Sequence, residues 1–68
     1  MSIKIVVNDQ SVQVEPGSNI EQLLQQLAVA RRGVAVEVNG EVVPVAQFNS
    51  IQLRPDDCLE VVALVGGG

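Results

Sequence analysis

Apolar residues fall at every second position in stretch after stretch of this chain, and a single segment breaks that period. Ile3, Ile5 and Val7 alternate, then Val12 and Val14, then Val34, Val36 and Val38. A period of two places such residues on one face of a β-strand. Between the second and third stretches, Ile20, Leu23, Leu24, Leu27 and Ala28 follow the spacing i, i+3, i+4, i+7, i+8. That spacing makes one apolar stripe on a helix. Gln22, Gln25 and Gln26 take its wet side. One helical stripe among half-apolar strands demands a single sheet with the helix packed on one face, an α+β architecture.

Local signals punctuate these elements. Asn8-Asp9-Gln10 is turn chemistry between Ile3–Val7 and a strand over Ser11–Glu15, so the two pair as a hairpin. Pro16-Gly17 ends that hairpin. Ser18 with Glu21 three residues on matches a capping box, with Asn19 as the rival cap. The stripe carries the helix to about Ala30, where Arg31 and Arg32 suit the macrodipole and Gly33 suits the position after the cap. Asn39-Gly40 joins Val34–Val38 to a short strand at Glu41–Val43, ended by Pro44. A single helical turn is expected around Ala46–Phe48, a brief strand at Ile51–Leu53, a turn at Arg54–Asp57 and a last strand over Leu59–Val65.

Composition narrows the function. The chain has 68 residues, room for one small domain with a thin core. It has no His, Trp or Tyr and one Cys, so Cys/His metal clusters, Cys–His dyads and base-stacking platforms are ruled out by inventory. Asp56 and Asp57 serve a turn better than a metal, since two adjacent carboxylates make a poor site. Four basic residues against eight acidic ones give a net charge of −4, which rules out a nucleic-acid footprint. No stretch approaches the length of a membrane span, and the N-terminus lacks the apolar run of a signal peptide. A lone Cys58 fits a reducing, cytoplasmic setting; at the start of the last strand it reads as a small packing residue.

The sequence closes on Gly66-Gly67-Gly68. Residues 1–65 are expected to form the domain, and 66–68 a flexible tail that adds nothing to the core. Without Cβ atoms such a tail can enter a channel closed to other residues, and three extended residues reach about 10 Å. Its one reactive group is the α-carboxylate of Gly68. Carboxylates resist nucleophilic attack until a leaving group is attached, and adenylation is the common route. No Lys-Ser/Thr and no helix follow the glycines, so this is not a phosphate cradle. The chain is therefore expected to be substrate and carrier, with no catalytic residue and no bound cofactor, and with ATP held by a partner enzyme.

Four stretches carry a resemblance that covers essentially the whole chain. They are Leu23–Leu27, Val34–Pro44, Leu59–Val62 and Val65–Gly68. Together they resemble the ThiS family, sulfur carriers of thiamine biosynthesis with the ubiquitin-like β-grasp fold: a mixed sheet of four to five strands on one helix. The resemblance implies that a ThiF-type adenylyltransferase adenylates Gly68. A sulfur donor fed by a cysteine desulfurase then makes the thiocarboxylate, which gives its sulfur to a ThiG-type thiazole synthase. Gly67 and Gly68 match the family's di-glycine. Val45, Phe48 and Asp56 stand where the family often has Arg, Trp and Gly, departures that bear on local partner contacts. The alternatives with the same carboxylate chemistry are a MoaD-like small subunit of molybdopterin synthase and a protein modifier. An interaction domain with incidental glycines is the alternative of another class.

The β-grasp arrangement makes the first and last strands neighbours. Val6, Val62 and Leu64 then share the face away from the helix and are expected to form an apolar patch near the tail, a docking surface for the activating enzyme.

Overall fold

The computed structural model describes residues 1–30 and 32–63. The elements run β1 (Ile3–Val7), β2 (Gln10–Val14), α1 (Ile20–Gln26), β3 (Val34–Val38), β4 (Glu41–Val43), a 3₁₀ turn (Val45–Gln47) and β5 (Cys58–Ala63). The five strands form one sheet in the order β2-β1-β5-β3-β4. Each hairpin is antiparallel, and β5 is inserted between the two, parallel to β1 and antiparallel to β3. This is the expected mixed sheet with one helix. The expected strand at Ile51–Leu53 shrinks to a single bridge between Asn19 and Gln52.

Both hairpins turn on two residues at positive φ. Asn8 and Asp9 lie at 50° and 68°, and Asn39 and Gly40 at 53° and 88°. Two left-handed residues match the right-handed twist of the flanking strands. Asp56 also sits in the left-handed region, at φ 69°. That is where the resembling family carries glycine, and Asp tolerates this conformation better than most side chains.

The helix differs from its expected form at both ends. Its cap is Asn19, not Ser18. The Asn19 Oδ1 accepts from the Gln22 N–H at 2.8 Å, and the Gln22 Oε1 accepts from the Asn19 N–H at 2.9 Å. Ser18 is committed elsewhere: its N–H donates to the Glu15 carbonyl, and its carbonyl accepts from the Leu53 N–H. At the other end the helix stops at Gln26 with Leu27 as cap. The Val29 N–H donates to the Leu24 carbonyl and the Ala28 N–H to the Gln25 carbonyl, the Schellman pattern. The left-handed residue that closes it is Ala28, at φ 59°, rather than Gly33. Arg32 therefore lies beyond the helix, exposed in the connection to β3, and Arg31 is outside the described residues.

A side chain at positive φ carries strain that glycine escapes. Ala28→Gly should stabilise the fold by about 0.5–1 kcal/mol. For a domain of this size the melting temperature should then rise by roughly 2–8 °C. A lower melting temperature would show that the Ala28 methyl group contributes more than its backbone strain costs.

The core lies between α1 and the inner face of the sheet. Ile5, Val7, Val14, Ile20, Leu23, Leu24, Val34, Val36, Val43, Phe48, Leu53 and Leu59 are buried, and no polar side chain among the described residues is buried with them. Phe48 is fully enclosed. Its difference from the family's Trp is thus a matter of packing, not of partner contact. Val45 is 46% exposed. Cys58, expected to pack, is exposed instead. Its neighbour Leu59 takes the inward position, and the alternation of the strand turns Cys58 to the outer face.

Candidate functional site

The candidate site is the outer face of the sheet together with the end of β5 that leads into residues 64–68. Strand alternation assigns this face. The inward set on β1 and β5 is Ile3, Ile5, Val7, Leu59 and Val61, all within or packed against the core. The outward set is therefore Lys4, Val6, Cys58, Glu60 and Val62.

Register separates two residues that the sequence brings together. Val6 pairs with Cys58 across the parallel β1·β5 ladder. Val62 lies four residues further along β5, about 13 Å at the usual rise of a strand. Its lateral partner is Ala35 of β3. Val6 and Val62 thus share the outer face but do not adjoin. Val6 is half-buried and Val62 is 51% exposed. Leu64, Gly66, Gly67 and Gly68 lie outside the described residues.

The same register assembles a group that sequence reasoning missed. Glu37 of β3 stands directly opposite Glu60 of β5 and, on its other side, opposite Val42 of β4. Val42 is 68% exposed. Like charges directly opposite destabilise a sheet. The outer face thus offers an acidic pair between exposed valines. Alternation alone puts these residues on one face, but only the pairing of β3 with β5 sets them side by side.

Two asparagines hold β5 from its two flanks. On the β3 side, the Asn39 N–H donates to the Cys58 carbonyl at 2.7 Å, and the Asn39 Oδ1 accepts from the Cys58 N–H at 3.0 Å. The Asn39 Nδ2 also donates to Asp57 Oδ1 at 3.0 Å, and Asp57 Oδ2 accepts from the Arg54 N–H at 2.8 Å. On the β1 side, the Asn8 N–H donates to the Leu59 carbonyl at 3.0 Å. The Asn8 side chain then bonds both backbone groups of Val61. Its Oδ1 accepts from the N–H at 2.8 Å and its Nδ2 donates to the carbonyl at 3.0 Å.

Chemically the described surface offers exposed valines, an acidic pair, and two side-chain amides bonded to the backbone of β5. Among the described residues no group of three His, Cys, Asp or Glu side chains lies close enough to hold a metal ion.

Known proteins are similar to this chain over nearly all of its length. The structure of a thiamine biosynthesis protein (ThiS) from Geobacter metallireducens superposes with a TM-score of 0.82 at 32% identity, covering 97% of this chain and 100% of that one. The sulfur carrier protein ThiS of Escherichia coli is 29% identical over 66 residues, 97% of this chain and 100% of its own length. The thiazole synthase of Paramagnetospirillum magneticum is 38% identical over 66 residues, which are 97% of this chain but 20% of that protein. The chain thus spans about a fifth of the length of the thiazole synthases it matches. The ThiS family model matches residues 2–68, so the β-grasp architecture and the sequence agree: the chain belongs to the ThiS family.

Proposed function

We propose that this chain is a sulfur carrier for thiazole formation in thiamine biosynthesis, and not itself an enzyme. The Gly68 carboxylate attacks the α-phosphorus of an ATP held by a ThiF-type adenylyltransferase, and pyrophosphate leaves. A sulfide equivalent from a desulfurase-fed donor then displaces AMP and leaves a thiocarboxylate. That thiocarboxylate passes its sulfur to a ThiG-type thiazole synthase in the cytoplasm. The chain binds no cofactor of its own.

The observation that carries this reading is the family match over residues 2–68, which takes in the terminal glycines. The match to the E. coli sulfur carrier over that protein's whole length supports it. A segment similar to this chain within two longer thiazole synthases supports the acceptor. Among the described residues no helix is long and apolar enough to cross a membrane. The free Cys58 fits a reducing compartment.

The test is the intact mass of the protein after incubation with its adenylyltransferase, ATP and a sulfur donor, with fragmentation of the C-terminal peptide. One oxygen should be exchanged for sulfur at Gly68. If neither adenylate nor sulfur appears at Gly68 with an enzyme system shown to be active on another carrier, the reading falls.

Docking through the outer face has its own test. Val62 is exposed, so Val62→Asp should leave the fold unchanged. Burying a carboxylate where a valine was covered should raise the Kd for the adenylyltransferase by about tenfold or more. An unchanged Kd would remove Val62 from the interface.

A further inference from the structure

Strand β1 ends too early to support the whole of β5. Their ladder holds only at Val6↔Cys58 and Val7↔Leu59. Beyond it the chain of β1 turns away through Asn8 and Asp9, while β5 continues to Ala63. On its other flank β5 stays paired with β3 through Val34↔Ala63. The β1 flank of Val61 would therefore be an open strand edge. The Asn8 amide fills that place, bonding both the N–H and the C=O of Val61, two groups that a longer β1 would bond through two separate residues of a parallel ladder. The left-handed backbone at Asn8 (φ 50°) accompanies this placement, with the main chain turning away while the side chain continues the ladder.

We propose that Asn8 is a positioning residue for the C-terminal tail. By closing the β1 flank at Val61 it fixes the last described stretch of β5, two residues before Ala63, from which the chain continues to Gly68. This rests on the sulfur-carrier reading. Counted from Ala63, where the β3 ladder ends, five residues remain to Gly68, a contour of at most about 18 Å. Counted from Leu59, where the β1 ladder ends, nine remain, a contour of about 32 Å. A longer tether lowers the effective concentration of its end at a docked site, and ordering the strand must then accompany each encounter.

Asn8→Gly is the decisive variant. Glycine accepts the positive φ without strain, so the turn survives while the amide is removed. Asn8→Asp keeps an acceptor for the Val61 N–H but sets a carboxylate against the Val61 carbonyl. Val14→Ala is the control. It trims a buried side chain in β2, a strand that is not a neighbour of β5 in the sheet.

Two readouts are needed. The first is hydrogen exchange of the free protein. Asn8→Gly should lose protection at Val61 while Leu24 and Val36 keep theirs, which a general loss of stability would not produce. The second is carrier-dependent ATP–pyrophosphate exchange by the adenylyltransferase. The KM for the carrier should rise about tenfold in Asn8→Gly and less in Asn8→Asp, with kcat near that of the unaltered chain. Val14→Ala should leave KM unchanged at temperatures where it is folded.

An unaltered KM in Asn8→Gly overturns the proposal. So does an equal rise in Val14→Ala, which would trace the effect to global stability. A raised KM with Val61 still protected makes Asn8 a direct contact and also overturns it. If the unaltered chain is not adenylated by an active enzyme, the carrier reading fails and this inference fails with it. If the unaltered chain is adenylated and Asn8→Gly matches it, only the positioning role is lost.

Discussion

Removal of Gly67 and Gly68 should abolish adenylation and sulfur loading and leave the melting temperature where it is in the intact chain. Both halves follow from where the core lies. Among the described residues the buried ones run from Ile5 to Leu59, and glycine has no side chain to add to them. The reacting carboxylate, in contrast, must reach from a docked sheet to the bound ATP, and each residue removed shortens that reach. Two residues fewer withdraw it by about 7 Å, well beyond the reach of a bond-forming approach. The truncated chain should still bind the adenylyltransferase through the outer sheet face, though more weakly. Loading at the new terminus at a rate near that of the intact chain would refute this account. A large drop in melting temperature would show that the terminal glycines belong to the fold.

Phe48→Ala should come close to unfolding the protein. Phe48 is fully buried and is one of the largest such side chains in the core. Truncating a buried Phe costs about 3–5 kcal/mol. A 68-residue domain has a total stability of roughly 3–10 kcal/mol at 0.05–0.15 kcal/mol per residue. The loss is thus comparable with the whole, and the melting temperature should fall by roughly 12–40 °C. The damage would also reach the helix start, because the Phe48 carbonyl accepts from the Glu21 N–H at 3.1 Å. Phe48→Leu, which keeps most of the volume, should cost much less, on the order of 1 kcal/mol. Thermal unfolding followed by circular dichroism separates the two. A shift of only a few degrees in Phe48→Ala would mean that the surrounding core collapses into the space.

The sequence by itself determined most of the elements and their inward faces; the strand expected at Ile51–Leu53, the far end of the helix and the outward Cys58 are the exceptions. Periods of two and 3.6 along the chain are local, and burial of one side chain in each repeat follows from them. Thus Ile5, Val7, Val36 and Leu59 were legible as core, and Asn39-Gly40 as a turn. The family was legible too, in the Val34–Pro44 segment and the closing glycines. Competition between neighbouring local signals was less legible. Ser18 and Asn19 both suit a helix cap, and the choice fell to Asn19 because Ser18 is tied to Glu15 and Leu53. What only the tertiary structure decided depends on residues far apart in the chain. The bond between Asn8 and Val61 spans 53 positions, and no local pattern announces that a turn residue will continue a strand ladder. The same holds for Glu37 opposite Glu60, for the four-residue offset between Val6 and Val62, and for Phe48, which lies in a segment without a period. Periodicity states which way a side chain points. Which residue it stands beside is set by register, and register is chosen by the packing of the whole sheet against its helix.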